Sequence, residues 1–250
     1  MLSIIFNTLK KIFLFYFFFG CVNASAQQFN FKRYGIGLST GVTHAFTDVP
    51  EMKIAPSIVL TADYFITPFV STYLDLQFGN IKGGSKEVDF ANLPNKHGRE
   101  FSNSYLSATL NTRLALGQLV YYEDNRIVNA IKGLYLGLGV GLIQNNVKNV
   151  RVQPLVQPNQ TVGYVFPGVN NSTNVTVPLN VGINFEIKDS WSETRYILGV
   201  NYQSNLTFGE GLDGYNDPPE IFENNGFDMY NMGTISFKYC FGPSHGFYRP

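Results

Sequence analysis

Between residues 133 and 147 the chain reads GLYLGLGVGLIQNNV and, taken two at a time, separates into two rows. Leu134, Leu136, Leu138, Val140 and Leu142 fall on one side, and Tyr135, Gly137, Gly139 and Gly141 on the other. A period of two marks an extended strand rather than a helix. The row opposite the leucines is mostly glycine, which lets backbones and bulky neighbours approach closely. An apolar row over a narrow one suits a small closed barrel whose outer wall meets lipid.

The same alternation recurs along the chain. Residues 34–46 set Ile36, Leu38, Val42 and Phe46 against Gly35, Gly37, Ser39, Gly41 and Thr43. Residues 54–66 set Ile54, Pro56, Ile58, Leu60, Ala62 and Tyr64 against Ser57, Thr61 and Asp63. Pro56 removes a ladder donor and so belongs near a strand end. After the turn at Thr67 and Pro68, residues 70–78 alternate again, and residues 101–119 place Leu106, Leu110 and Leu114 opposite Tyr105, Asn111 and Arg113. Residues 121–132 read as a connector of one or two helical turns. Further strands are expected at 175–187, 193–208 and 230–241.

Eight such runs predict an all-β fold, an eight-stranded antiparallel transmembrane β-barrel wound as an up-and-down meander. The connections run medium, short, long, medium, long, short, long. The longer ones therefore collect mostly at one end, as extracellular loops do in membrane barrels, and an even strand number returns both termini to the periplasm.

Composition sharpens this expectation. Charged residues make up 14% of the 250 residues, and 22 Phe and 15 Tyr stand against 1 Trp. Eighteen basic and eighteen acidic residues cancel, so no overall field favours nucleic acid. Lys10 and Lys11 precede the apolar run IFLFYFFFGCV, and Ala24-Ser25-Ala26 follows it. That order marks residues 1–26 as a cleaved secretory signal, with the barrel occupying 27–250. A lipoprotein reading at Cys21 competes, but Phe18 and Phe19 are bulky for such a box. With Cys21 removed, Cys240 alone remains and no intramolecular disulfide can form. No later run is long and apolar enough for a membrane helix.

The candidate chemistry lies on the polar rows. Asp63, Asp75 and Glu186 oppose Arg113, Arg195 and Lys238, a charge cluster inside a barrel just wide enough to be filled by side chains. Asp63, Glu186, Arg195 and Lys238 fall near the periplasmic end. The expected role is a satisfied polar core; the alternative is a narrow conduction path. A lipid A-modifying enzyme is a further alternative, with His44 near Ser39, Thr43 and Asp48 at the rim. His44 shares its row with Val42 and Phe46, and nothing in the spacing selects catalysis. His97 and His245 read as solvated. No metal motif occurs, GLGVG lies inside a strand with no helix after it, and no cofactor is expected. Tyr64, Phe65, Phe69, Tyr121, Tyr122, Phe208, Tyr230 and Phe241 sit at strand ends, as interfacial aromatic girdles do.

The signal ending, the first strand YGIGLSTGV, the strand YLSATLNTRLAL followed by a connector and GLYLGLGVGL, and the final ISFKYCFG resemble the small outer-membrane barrels that include PorT-like and OmpX-like proteins. The resemblance implies an eight-stranded barrel of a kind mostly without assigned activity and, for its PorT-like members, a part in secretion across the outer membrane. On that basis the chain is expected to be a structural or accessory subunit of an envelope or secretion assembly in the bacterial outer membrane. Its expected partners are outer-membrane lipid, lipopolysaccharide and other envelope or secretion proteins, met through outward loops at 82–100, 148–174 and 209–228. Residues 242–250 depart from a barrel ending on its aromatic residue. They read as a short periplasmic tail, or Phe247 and Tyr248 supply the terminal signal.

Overall fold

The alternation is realised as one closed sheet in a computed structural model that describes residues 28–47, 49, 51–85, 99–122, 125–150, 165–209, 211–216 and 228–248. The expected signal segment and Cys21 lie outside them. The strands are β1 (Gln28–Phe46), a two-residue β2 (Met52–Lys53), β3 (Ala55–Thr67), β4 (Val70–Gly84), β5 (Glu100–Ala115), β6 (Leu134–Asn149), β7 (Asn171–Lys188), β8 (Thr194–Phe208) and β9 (Met229–Tyr248). Two short helices, α1 (Leu116–Leu119) and α2 (Arg126–Ile131), join β5 to β6.

Pairing runs β4-β3-β1-β9-β8-β7-β6-β5, and β4 pairs with β5 to close the ring, with β2 added beside the end of β4. All pairs are antiparallel and, β2 aside, join chain neighbours except at the β1–β9 seam. This is an eight-stranded up-and-down barrel of the transmembrane type, inverted relative to a soluble protein. Leu136, Leu138, Val140 and Leu142 are exposed on β6, while Gln77, Asn103, Ser107, Thr109 and Gln203 are fully buried inside.

The glycine row of β6 has a local purpose. A Cβ on Gly139 would collide with the side-chain oxygen of Asn111, and one on Gly182 would meet the Tyr135 hydroxyl. Glycine at these inward positions leaves space for larger polar side chains from neighbouring strands. Pro56 sits at the second position of β3, near a strand end as its missing donor requires. Pro178 interrupts the β6–β7 ladder, where pairing lapses between Leu138↔Leu179 and Gly141↔Thr176.

Three expectations need correction. The strand expected over 101–119 stops at Ala115, because the chain turns into α1, where Gly117 packs against the Phe69 ring and its N–H donates to the Lys132 carbonyl. The expected tail after Phe241 is instead strand: β9 continues to Tyr248, with Ser244 opposite Lys32 and Tyr248 opposite Gln28. A bulge makes this possible. Gly242 adopts φ +95, and between the Tyr34↔Phe241 and Lys32↔Ser244 pairs β9 carries one more residue than β1. Finally, Phe65, Phe69, Tyr122 and Tyr230 are buried rather than part of an outer girdle. Alternation allows only one of two adjacent residues to face outward, so Tyr64 is exposed and Phe65 is not. The outer aromatic row at the short-turn end is Tyr64, Tyr34, Phe241, Tyr239 and Tyr196, with neighbouring ring centroids 5.7 to 6.1 Å apart.

Candidate functional site: the barrel lumen

Asp63 on β3 organises the lower lumen. One carboxylate oxygen accepts from the Arg113 guanidinium on β5, and the other accepts from Lys238 Nζ on β9 at 3.0 Å. Arg113 Nε donates to Ser71 Oγ at 2.7 Å. Its guanidinium carbon lies 4.6 Å from the Tyr73 ring centroid and 5.5 Å from that of Tyr135, a cation–π arrangement in a dry site. Asp75, also on β4, accepts from Thr61 Oγ1 at 2.6 Å. Asp63, Asp75, Arg113 and Lys238 are all buried, so two carboxylates balance two cations in one layer. Such a layer is tolerated because Asp63 pairs with both cations and Asp75 is held by the Thr61 hydroxyl; removing Asp63 would strand the cations in a low-dielectric interior.

The structure places the other two expected cluster members elsewhere. Glu186 stands at the lower mouth of the lumen, where Lys132 and Lys188 are the cations that act on it. Arg195 does not enter the lumen. Ile187 pairs with Tyr196 and Lys188 with Thr194, leaving Arg195 in a bulge that turns its side chain toward Asp189, 3.1 Å away. Strict alternation put Arg195 inside, and one extra residue reversed it.

Above the charges runs a chain of amides. The Tyr135 hydroxyl donates to Asn201 at 3.0 Å, Asn201 to Asn180 at 3.1 Å, Asn180 to Asn111 at 3.3 Å, and Asn111 to Thr109 Oγ1 at 2.8 Å. Four strands are thereby linked across the lumen, through the space that Gly139 and Gly182 leave. Higher still, Tyr230 and Gln203 each bond Gln77 at 3.4 Å, and Asn103 donates to Asn145 at 2.7 Å.

Both ends carry apolar clusters. At the long-loop end, Phe166, Leu212 and Tyr215 join Ile81, Phe101 and Ile143 in a buried cluster. The Phe166 and Tyr215 rings meet edge to face at 5.5 Å. At the short-turn end Phe31, Phe65, Ile197 and Cys240 form one cluster, and Phe69, Ala115, Tyr122 and Tyr135 another. Phe247 packs against both, so the β1–β9 extension folds across this mouth. It is tied there by Lys32, whose ammonium lies 2.6 Å from Glu193 and 2.9 Å from Ser244 Oγ. The Ser244 hydroxyl in turn donates to Glu193, and the hydrogen bonds from Lys32 and Ser244 hold the Glu193 carboxyl below its ordinary range. In the same turn, desolvation pushes Asp189 upward, but donation from the backbone N–H groups of Glu193 and Trp191 and from Arg195 outweighs it and holds its pKa low.

The lumen beside Arg113 retains a cavity of about 20 Å³, room for about one water. That is too little for a substrate. His44 lies on the outer wall, its ring edge-on to Phe46 at 4.9 Å, while Ser39 and Thr43 are buried on the inner side. The wall separates the histidine from both hydroxyls, and Asp48 and His97 lie outside the described residues. His245 Nδ1 is 3.1 Å from the Pro243 carbonyl in the extended ribbon. No group of metal-ligating side chains occurs among the described residues.

Four of the six charges, Asp63, Asp75, Arg113 and Lys238, were legible as members of the inward row. Their connections were not: the roles of Ser71, Thr61 and Tyr73, and the Tyr135–Asn201–Asn180–Asn111 chain, depend on register. Once β4–β5 pairing sets Ser71 opposite Arg113, the first of these follows directly.

No family model matches the chain, and no curated protein does. Among solved structures it is similar to Neisserial surface protein A, with 10% identity, a TM-score of 0.41, and 86% of this chain and 99% of that chain covered. It is also similar to Ail, the attachment invasion locus protein of Yersinia pestis, with 10% identity, a TM-score of 0.44, and 84% and 99% covered. The outer membrane protein OprG from Pseudomonas aeruginosa gives 12% identity, a TM-score of 0.36, and 85% and 98% covered. At such identities and scores no activity, ligand or partner passes from those proteins to this chain.

Proposed function

We propose that this chain is a non-enzymatic barrel of a bacterial outer membrane that acts through its two ends and outer wall, as a structural or accessory subunit of an envelope or secretion assembly. The observation that carries this reading is the filled lumen: a charge-balanced layer and an amide chain lie between two apolar plugs. A lumen so occupied offers no room for a substrate between its plugs, which leaves the two ends and the outward surfaces for recognition.

Membrane placement is supported by the exposed apolar row on every long strand, which only lipid would cover at no cost. The long connections then face outward, and the short turns, with β1 and β9 leaving at the same end, face the periplasm. An accessory role is what the resemblance to PorT-like barrels implies. The test is a mild-detergent pull-down of the tagged protein from native outer membranes, read by mass spectrometry. Stoichiometric envelope proteins are expected; recovery of the barrel with lipid alone would remove the assembly role.

A further inference from the structure

At the long-loop end, where the outer wall passes from apolar to polar, three lysines stand in one line across the strands. Lys53 on β2 pairs in register with Lys82 on β4, Lys82 with Ser102 on β5, and Ser102 with Lys148 on β6. Residues in register on adjacent strands project from the same face, and neighbouring strands are about 4.8 Å apart. The three ammonium groups therefore lie within reach of one another. Like charges set opposite each other are destabilising in a sheet unless something of opposite sign joins them.

Only part of that charge is met among the described residues. Lys53 bonds Glu100 at 2.9 Å, whereas Lys82 and Lys148 form no ion pair among the described residues. Lys53, Lys82, Glu100, Ser102 and Lys148 line a single cleft of about 350 Å³. Three ammonium groups against one carboxylate give it two surplus positive charges, with a hydroxyl among them.

Its height on the wall selects the occupant. Down the same outward rows stand Phe78 on β4, Leu106 on β5 and Leu142 on β6, all exposed, and Ile54, beside Lys53, is 71% exposed. Between Phe78 and Lys82 only Asn80 faces outward on β4, a separation of four residues, or roughly 13 Å along the strand. With the tilt of a membrane barrel this is about 10 Å along the membrane normal, the depth of a headgroup above acyl chains. The register row that joins β8, β9 and β1 at this end carries Ser204, a buried Asn231 and His44, and no lysine or arginine.

We propose that this lysine row binds the phosphate of a phosphorylated lipid in the leaflet at the long-loop end, its acyl chains lying on the apolar band below. The inference rests on the membrane placement proposed above. A phosphomonoester meets the surplus charge, accepts from Lys82, Lys148 and the Ser102 hydroxyl, and removes the repulsion within the row.

The test uses the full folded chain in detergent micelles and counts lipid adducts by native mass spectrometry. The probes are phosphatidic acid, phosphatidylcholine of the same chains, and inorganic phosphate as competitor. Phosphatidic acid should be retained in preference to phosphatidylcholine. The double variant Lys82→Gln/Lys148→Gln should weaken that retention by roughly tenfold or more, given the contribution of each basic residue at an anionic surface. Glu100→Gln should strengthen it, and all variants should keep the gel shift between unboiled and boiled samples. Equal retention of the two lipids, or indifference to the double variant, overturns the proposal. Displacement by inorganic phosphate makes the row a free-anion site and overturns the lipid assignment. Cell fractionation separates the two readings: a chain found away from the outer membrane that still retains phosphatidic acid through Lys82 and Lys148 sinks the proposed function and leaves the site standing.

Discussion

Lys238 on β9 reaches past β1 to Asp63 on β3, its Nζ 3.0 Å from Oδ2, and so spans the seam where the first and last strands meet. Asp63 is the shared anion for Lys238 and Arg113. Asp63→Ala leaves two buried cations with no direct ion pair and Asp75 as the one carboxylate beside them, and a loss of about 3–5 kcal/mol is expected. Replacing Asp63, Asp75, Arg113 and Lys238 together by Leu, Leu, Met and Met should cost far less, because no charge remains in the layer. Urea unfolding in lipid vesicles, followed through the single Trp191, gives both values. Equal losses in the two variants would show that shape rather than charge sets the stability of this layer.

The latch across the lower mouth should respond to acid. Glu193 has a folded-state pKa below its ordinary 4.5, held there first by Lys32 and then by Ser244. A depressed carboxyl contributes stability at pH above its unfolded value, and that contribution is lost as pH falls through the folded value. Amide exchange in the β1 segment around Lys32 should therefore speed up as pH drops from about 5 downward, beyond the intrinsic pH trend. In Glu193→Gln the acid-dependent part should vanish while the rest of the barrel keeps its protection. Unchanged acid dependence in that variant would assign the effect to other carboxyls.

Conductance is expected to be absent. Phe166, Leu212 and Tyr215 pack over one end and Phe247 over the other, so apolar clusters stand between the charged layer and both ends of the described barrel. The purified barrel should give no steps in a planar bilayer. Arg113→Ala should stay silent too, since the long-loop plug of Phe166, Leu212 and Tyr215 includes none of the rings that Arg113 packs against. Steps that change with Arg113→Ala would establish the conduction path that the paired charges argue against.

Glycines in the wall should divide sharply. Gly139→Val drives a branched side chain into Asn111 and the Leu110 carbonyl, breaking the amide chain and the β5–β6 approach, and is expected to cost more than about 2 kcal/mol. At Gly233 an added methyl would meet nothing within 4 Å, so Gly233→Ala should change stability by less than about 0.5 kcal/mol. A heat-modifiability gel run against a urea series ranks the two. Similar midpoints would mean that the β5–β6 wall yields to accommodate the side chain.

The alternating rows carried the fold because lipid on one side and a narrow lumen on the other make period two strict wherever pairing is regular. It failed where pairing is irregular. Arg195 left the lumen at a bulge, and residues 242–248 were read as tail because Gly242 and Pro243 interrupt the alternation just before it resumes against Gln28–Lys32. Phe166, Leu212 and Tyr215 gave no signal at all. They lie in connections without period, and only the three-dimensional path returns them to the barrel mouth. For the lumen, Asp63, Asp75, Arg113 and Lys238 were visible as a set. That Asp63, rather than Asp75, joins both cations depends on the stagger between strands, which charge and spacing leave open.

Closure at the β1–β9 seam has a bearing on how the molecule comes into being. Every other contact between neighbouring long strands joins segments that follow one another within the chain, whereas this one brings Gln28–Phe46 to Met229–Tyr248. Hairpins can therefore accumulate in order while the curved sheet stays open, its first strand exposing unpaired amides and carbonyls until the last arrives. During that interval the half-made wall must be shielded by a catalyst of insertion or by the bilayer itself. The residues that end the wait, Lys238 among them, are the same ones that neutralise Asp63, so completion of the ring and burial of its charge are a single event.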